Sequence, residues 1–186
     1  MEAPIQDQEA SERLEAAAQE HHGVAPDAFK DAFRRHPGGV AVITADDGSG
    51  PVALTLTSLA SVSAEPPLLI FSVSDLSSAT ATILEAETFV AHLIGADEAD
   101  IAKLAATHGI DRFGPDVAWG RMPTGEPYYP GVANRLRCRI VDQIRAGAST
   151  IVVGLVLEAS LLAEDVAAPL AYHNRTWHRL GPHSAM

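Results

Sequence analysis

ALTLTSLASVSAEPP, residues 53–67, carries five hydroxyl side chains: Thr55, Thr57, Ser58, Ser61 and Ser63. It reads in two ways. It is an edge strand with a polar face, stopped by Pro66-Pro67, or it is a surface of backbone and hydroxyl groups suited to a polar ring system. Composition leaves both open. The flanks place it in a β context. Residues 40–44 are apolar and β-branched, and residues 52–57 repeat that character across Asp46-Asp47-Gly48-Ser49-Gly50. Glycines there tolerate positive φ, so this segment reads as a hairpin turn. Thr44 would then lie beside the hydroxyl-rich strand. Gly48-x-Gly50 superficially resembles a dinucleotide loop, but a strand follows it where that loop needs a helix. Residues 68–73 form the next strand.

Further out, residues 27–35 predict a short helix with Asp27 as cap and Phe29 and Phe33 on one face, ended by Pro37-Gly38-Gly39. Residues 77–86 predict a helix capped by Ser77 or Ser78. Hydroxyls beside free N–H groups at a helix start suit an anion, and they equally suit an ordinary cap. Residues 89–94 read as a strand, 97–106 as a helix capped by Asp97, and 107–130 as a long loop rich in Gly and Pro. In residues 136–141, Leu136, Cys138 and Ile140 alternate with Arg137, Arg139 and Val141, so the first three face a core. Residues 151–157 are apolar on both faces, which calls for a core on one side and a helix or second subunit on the other. Residues 170–180 read as one final strand. Strands not regularly separated by helices argue for a mainly β fold with peripheral helices, an antiparallel barrel and not a doubly wound parallel sheet.

The 186 residues suffice for one domain with a real core. Residues 1–26 are polar and acidic, a tail or an arm that docks on a partner, with helix-forming composition over 9–20; residues 27–182 are the folded domain. A net charge of −11 argues against nucleic acid and anionic membrane surfaces as partners. There is no leader-like or membrane-length apolar run, and the one cysteine, Cys138, suits a reducing cytoplasm. No nucleophile elbow occurs, and Cys138 on an apolar face reads as an inert small hydrophobe. Among eight histidines, His21-His22 lies in the tail, while His173 and His178 fall on opposite faces of a single strand, so no metal site is expected.

Three segments in order carry a resemblance. FRRHPGGVAVIT (33–44) is similar to a Phe-Arg-x-x-Pro-x-Gly-Val-x-Val-Val-Thr pattern. ALTLTSLASVSAEPPLLIFSV (53–73) resembles a Gly-x-Thr-x-Asn-Ser-Phe-x-Ser-Val-Ser-x-x-Pro-Pro block. PLAYHNRTWHRL (169–180) resembles a Pro-Leu-x-Tyr-x-x-Gly-x-Tyr close. These are patterns of the flavin reductase-like family, the reductase components of two-component flavin monooxygenases and their relatives. The resemblance covers residues 28–180. The chain departs from the patterns at Gly38, Thr57, Leu59, Ala79, Thr80 and Asn174-Arg175.

The resemblance implies a Greek-key split β-barrel, a homodimer, and FMN or FAD bound near the subunit interface, with NADH or NADPH as co-substrate and a flavin-dependent monooxygenase as possible partner. It implies that Thr55, Leu56, Thr57, Ser58 and Ser61 line the flavin. It sets Ser72, Ser77 and Ser78 toward the phosphate, Arg112 and Phe113 over the ring and phosphate, and His173 beside the nicotinamide as a positioning group. Three other functions fit the same residues: a barrel that binds flavin without reducing it, an oxidoreductase that retains its flavin and acts on an organic substrate, and a structural domain dimerising through residues 151–157.

Overall fold

The computed structural model describes residues 8–21, 23–161 and 168–186. The tail reading over residues 1–7 and His22 therefore lies outside the described residues. In chain order, α1 (Gln8–Glu20) and α2 (Pro26–Arg34) lead to β1 (Gly38–Gly39), β2 (Ala41–Ala45), β3 (Val52–Leu56), β4 (Ala60–Ala64) and β5 (Pro67–Ser74). Next come α3 (Thr80–Glu85), β6 (Thr88–Leu93), α4 (Ala99–Ala106), β7 (Gly120–Arg121) and β8 (Pro127–Tyr128). The chain finishes with β9 (Arg135–Ala146), β10 (Ser149–Ser160), β11 (Leu170–His173) and β12 (Thr176–Arg179). The fold is mainly β with peripheral helices, as its sequence predicts.

The central sheet has seven antiparallel strands in the order β3-β2-β6-β9-β10-β5-β4. Hydrogen bonds do not close it: β3 and β4 are its two edges. Those edges are joined by only residues 57–59. A link that short spans about 14 Å at most, so the sheet must curl until its edges nearly meet. Phe71 on β5 and Phe89 on β6 confirm the curl. Two strands separate them in the sheet, yet their ring centroids lie 5.1 Å apart. In a flat sheet the same strands would lie about 14 Å apart. Gly154 makes the room, since a Cβ there would stand 2.7 Å from the Phe89 ring.

The curled face encloses the main core, with Ile43, Phe71, Ile83, Phe89, Cys138 and Val152 fully buried. Cys138 and Ile140 point inward as their alternation predicts. A second core lies outside β2, where Val42, Ala102, Ala105, Tyr129 and Val132 are buried under α4 and the loop after it. Hence all of β2 is buried, on both faces.

The predicted turn at 46–50 is present. Asp46 Oδ1 accepts from the N–H groups of Gly48 (2.8 Å) and Gly50 (3.1 Å), and both glycines have positive φ. Several expectations are corrected. Asp27 is not the cap of α2: Ala25 is, and Pro26 opens the helix with the φ it prefers. Neither Ser77 nor Ser78 caps α3, whose N-cap is Ala79. Ser77 instead accepts from the Ala79 N–H in a preceding turn, and Thr80 donates to Ser74 O. Asp97 does not cap α4, because a short 3-10 turn precedes it and Glu98 binds the Gly95 N–H. Residues 170–180 are a hairpin and not one strand. Asn174 and Arg175 take φ of 48° and 63° and reverse the chain between β11 and β12. That two-residue reversal, with positive φ at both positions, matches the twist of a hairpin.

α1 lies against β9, where Ser11 Oγ accepts from the Arg145 N–H at 2.9 Å. α2 buries no residue, and its Phe29 and Phe33, 4.7 Å apart, are 54% and 61% exposed. The second face of β10, carrying Ile151, Val153 and Leu155, is half-covered, and Leu157 is exposed.

Candidate functional site

The three-residue link between the sheet edges sends its side chains to different places. Thr57 is exposed and packs on β1. A Cβ added to Gly38 would lie 2.8 Å from the Thr57 Cβ, so only glycine permits this approach. Ser58 Oγ accepts from the Ser72 N–H at 3.1 Å, which pins the link to β5. Leu59 lines an apolar cavity of about 300 Å³ with Gly39, Val40, Leu93, Ile94 and Asn134. Thr57 walls a second cavity of about 320 Å³, and His36, Tyr172 and Arg175 also line it.

Beyond the link, β4 pairs only with β5, so its other edge carries backbone N–H and C=O groups that the sheet does not use. Ser61 is exposed on β4, opposite Leu69. A register shift between Ser61 and Ser63 leaves Val62 56% exposed. Ser72 and Ser78 are exposed and Ser77 half-exposed. Ser72 stands opposite Ile151 of β10. The structure thus leaves Thr57, Ser58, Ser61, Ser72 and Ser78 exposed and Ser77 half-exposed, spread over the link, β4, β5 and the turn that follows β5.

The other expected site residues lie elsewhere. Thr55 donates its hydroxyl to Ala102 O at 2.7 Å, tying β3 to α4, and Leu56 is buried in the main core. Thr44 is also withdrawn, with its hydroxyl donating to Pro127 O at 2.5 Å. Arg112 caps the end of α4 through Ala105 O (3.1 Å) and Thr107 O (2.8 Å). Phe113 stacks on Tyr129 at 5.6 Å and meets Trp119 edge-on at 5.1 Å. His173 lies on the face of β11 opposite Tyr172 and lines a separate cavity with His178 and His183. The hairpin sets the His173 and His178 rings 5.8 Å apart, correcting the expectation that they face opposite ways. Among the described residues no group of three or more His, Cys, Asp or Glu side chains is arranged to hold a metal ion.

Two groups are disarmed by burial. The Cys138 thiol is pushed up to about 12 by desolvation. His92 is fully buried and held down at about 4, first by desolvation. Its Nε2 accepts from the Tyr129 N–H (3.1 Å), so Nδ1 carries the proton and donates to Val42 O (3.0 Å). That neutral ring joins β2, β6 and the start of the loop after β8, a role the sequence does not signal. The described site therefore offers hydroxyls, edge backbone groups and apolar walls. Such a surface binds and orients; the reactive groups must come with the ligands.

Similarity to known proteins agrees. The flavin reductase like domain matches residues 33–181. The chain belongs to the flavin reductase-like family. An NADH:FMN oxidoreductase of Rhodococcus qingshengii is 38% identical over 162 residues, 86% of this chain and 84% of that protein. A crystal structure of a flavin reductase domain protein from Arthrobacter sp. FB24 superposes with a TM-score of 0.78 at 31% identity, over 85% of this chain and 97% of that one. The reductase component of a 4-nitrophenol 4-monooxygenase/4-nitrocatechol 2-monooxygenase of Rhodococcus opacus is 28% identical over 155 residues, 83% of this chain and 81% of that component. The family match begins at Phe33 and so omits α1 and nearly all of α2.

Proposed function

We propose that this chain is an NAD(P)H:flavin oxidoreductase that takes a hydride from a nicotinamide and delivers it to FMN or FAD. The observation that carries the reading is the open edge between β3 and β4, lined by Thr57, Ser58, Ser61 and Ser72, in a chain of this family. Hydride transfer itself is chemistry that the nicotinamide and the flavin supply when bound. The protein's tasks are to hold two ring systems in stacking register, to exclude water, and to meet developing negative charge with fixed donors. Unpaired N–H groups on the β4 edge serve as those donors. Ser72, Ser77 and Ser78 form the phosphate end. His173 orients the nicotinamide without transferring a proton.

A homodimer completes the site in this reading. The exposed Phe29 and Phe33 and the half-covered β10 face are surfaces a second copy would cover. The partner copy is the natural source of the ring cover that Arg112 and Phe113 do not provide within their own chain. Residues 27–182 act as the reductase domain, with residues 1–26 as an arm whose α1 lies beside β9. The Rhodococcus opacus relative is the reductase component of a monooxygenase, and this protein would pass reduced flavin to an enzyme of that class. Dependence on reduced nicotinamide sets its work in the cytoplasm.

The test is an anaerobic titration of purified protein with FMN and FAD, then with NADH and NADPH, following the flavin absorbance. Rapid bleaching with one pair supports the reading and identifies both cofactors. Flavin binding without bleaching would reject the reductase in favour of a carrier.

A further inference from the structure

The family match omits α1, yet α1 reaches the turn after β5 through one arginine. β6 pairs with β9 only between residues 135 and 139. Further along, α1 lies against β9, and its Ser11 Oγ accepts from the Arg145 N–H at 2.9 Å. The Arg145 guanidinium then leaves β9 for a segment 70 residues away. Its Nη1 donates to Asp75 Oδ1 at 2.7 Å and its Nη2 to Asp75 Oδ2 at 2.5 Å. Asp75 first, and Glu15 of α1 after it, favour the charged form of Arg145. Ser11 and Glu15 are four residues apart and share one face of α1, so the helix addresses both the backbone and the side chain of Arg145.

Asp75 opens the turn between β5 and α3. Its N–H donates to Ala148 O at 3.1 Å, so the β9–β10 hairpin holds it by backbone and by side chain. The bonds that shape the rest of the turn are local. The Ser77 N–H and the Thr80 hydroxyl both donate to Ser74 O, at 3.0 and 2.6 Å, and the Thr80 N–H donates to Ser77 O at 3.1 Å. Those bonds give the turn its form; Asp75 fixes where it points. The Arg145 and Asp75 side chains are 44% and 38% exposed, too open for the pair to add much stability. What a bidentate fork supplies there is direction, since two parallel bonds fix an angle as well as a distance. We infer that Arg145 is a positioning residue for the flavin phosphate, supported by α1 and acting through Asp75 to aim Ser77 and Ser78. The inference rests on the reading above, in which those hydroxyls take the phosphate.

The test compares FMN with riboflavin, which lacks the phosphate, by flavin fluorescence with the full chain. The Kd for FMN should rise about tenfold in Arg145→Gln and in Asp75→Asn, while the Kd for riboflavin stays within about twofold. The double variant should bind FMN no more weakly than either single one, because both changes break the same contact. Arg145→Lys should not rescue, since an ammonium keeps the charge without the fork. Ser11→Ala, which costs α1 no helix propensity, should raise the FMN Kd about threefold. An unchanged FMN Kd in Arg145→Gln, an equal loss of riboflavin binding, or full rescue by lysine would each overturn the inference. Tighter FMN binding by Asp75→Asn would overturn it too, by making Arg145 a direct phosphate ligand freed from its partner. An unchanged Kd in Ser11→Ala would remove α1 from it. A parent that binds FMN no tighter than riboflavin has no phosphate end, and the inference falls with it. A parent that shows the expected pattern but does not reduce flavin with NADH or NADPH upholds the inference and sinks the reductase reading alone.

Discussion

His92 makes the protein sensitive to mild acid. Its ring is fully buried, donates from Nδ1 to Val42 O, and accepts at Nε2 from the Tyr129 N–H. Protonation would set a second N–H against that amide, in a site that already resists charge through desolvation. The folded pKa is therefore lowered from 6.5 to about 4. A lowered histidine pKa means that the unfolded chain binds the proton more tightly. Stability is complete above pH 6.5 and falls as pH drops toward 4. Across the whole window the loss is about 3 kcal/mol at ~1.36 kcal/mol per pH unit, and between pH 7 and pH 5 it is about 2 kcal/mol. Carboxylates titrate in the lower part of that range, so the measurement is a difference. Urea unfolding of the parent and of His92→Gln is followed at pH 7, 6 and 5 at one fixed protein concentration. Glutamine has no titration there but loses one of the two hydrogen bonds, so the variant starts lower at pH 7, by about 1–3 kcal/mol. The gap between the two proteins should close by about 2 kcal/mol on reaching pH 5. Parallel profiles, or an NMR titration of the His92 ring with a midpoint near that of a free imidazole, would refute the argument.

Two further outcomes follow from the same geometry. Glu126 is 4% exposed and accepts from Arg137 Nε at 2.7 Å and from the Thr124 hydroxyl. Burial would raise its pKa, yet hydrogen bonds from Thr124, Thr88 and Arg137 hold it below the usual carboxylate range. Its contribution is thus present above that range and lost on acidification; Glu126→Gln should lower stability at pH 7 by about 1–3 kcal/mol in urea unfolding, by leaving Arg137 with the exposed Glu158 as its remaining carboxylate partner. Gly38→Ala would set a Cβ 2.8 Å from the Thr57 Cβ and push the link off β1. Flavin affinity measured by fluorescence quenching should fall at least tenfold, about 1.4 kcal/mol, with a modest drop in thermal midpoint.

Much of this was legible in the chain because it depends on near neighbours. Period-two alternation at Leu136, Cys138 and Ile140 is a property of one strand, and it predicts the buried face found in β9. The Asp46–Gly50 turn is equally local, since Asp46 binds amides two and four residues on. The hydroxyl-rich stretch declares a polar surface, and the edge position of β4 supplies the unpaired backbone that goes with it.

Tertiary structure decided the rest. Thr44, Thr55 and Thr57 look alike in sequence, yet the first two bond to Pro127 O and Ala102 O and only Thr57 reaches the surface. A hydroxyl's role depends on which carbonyl the fold carries past it. The family resemblance sets Arg112 and Phe113 over the ring, but within their own chain an open helix end and Tyr129 engage them. His92 carries no pattern of its own, because its partners lie 50 and 37 residues away. Reversal at Asn174-Arg175 needs left-handed backbone at two non-glycine residues, which local preference argues against and which pairing of β11 with β12 sustains. Local periodicity records which side of an element is apolar; only the packed chain settles what lies on each side, and so which polar groups remain for a ligand.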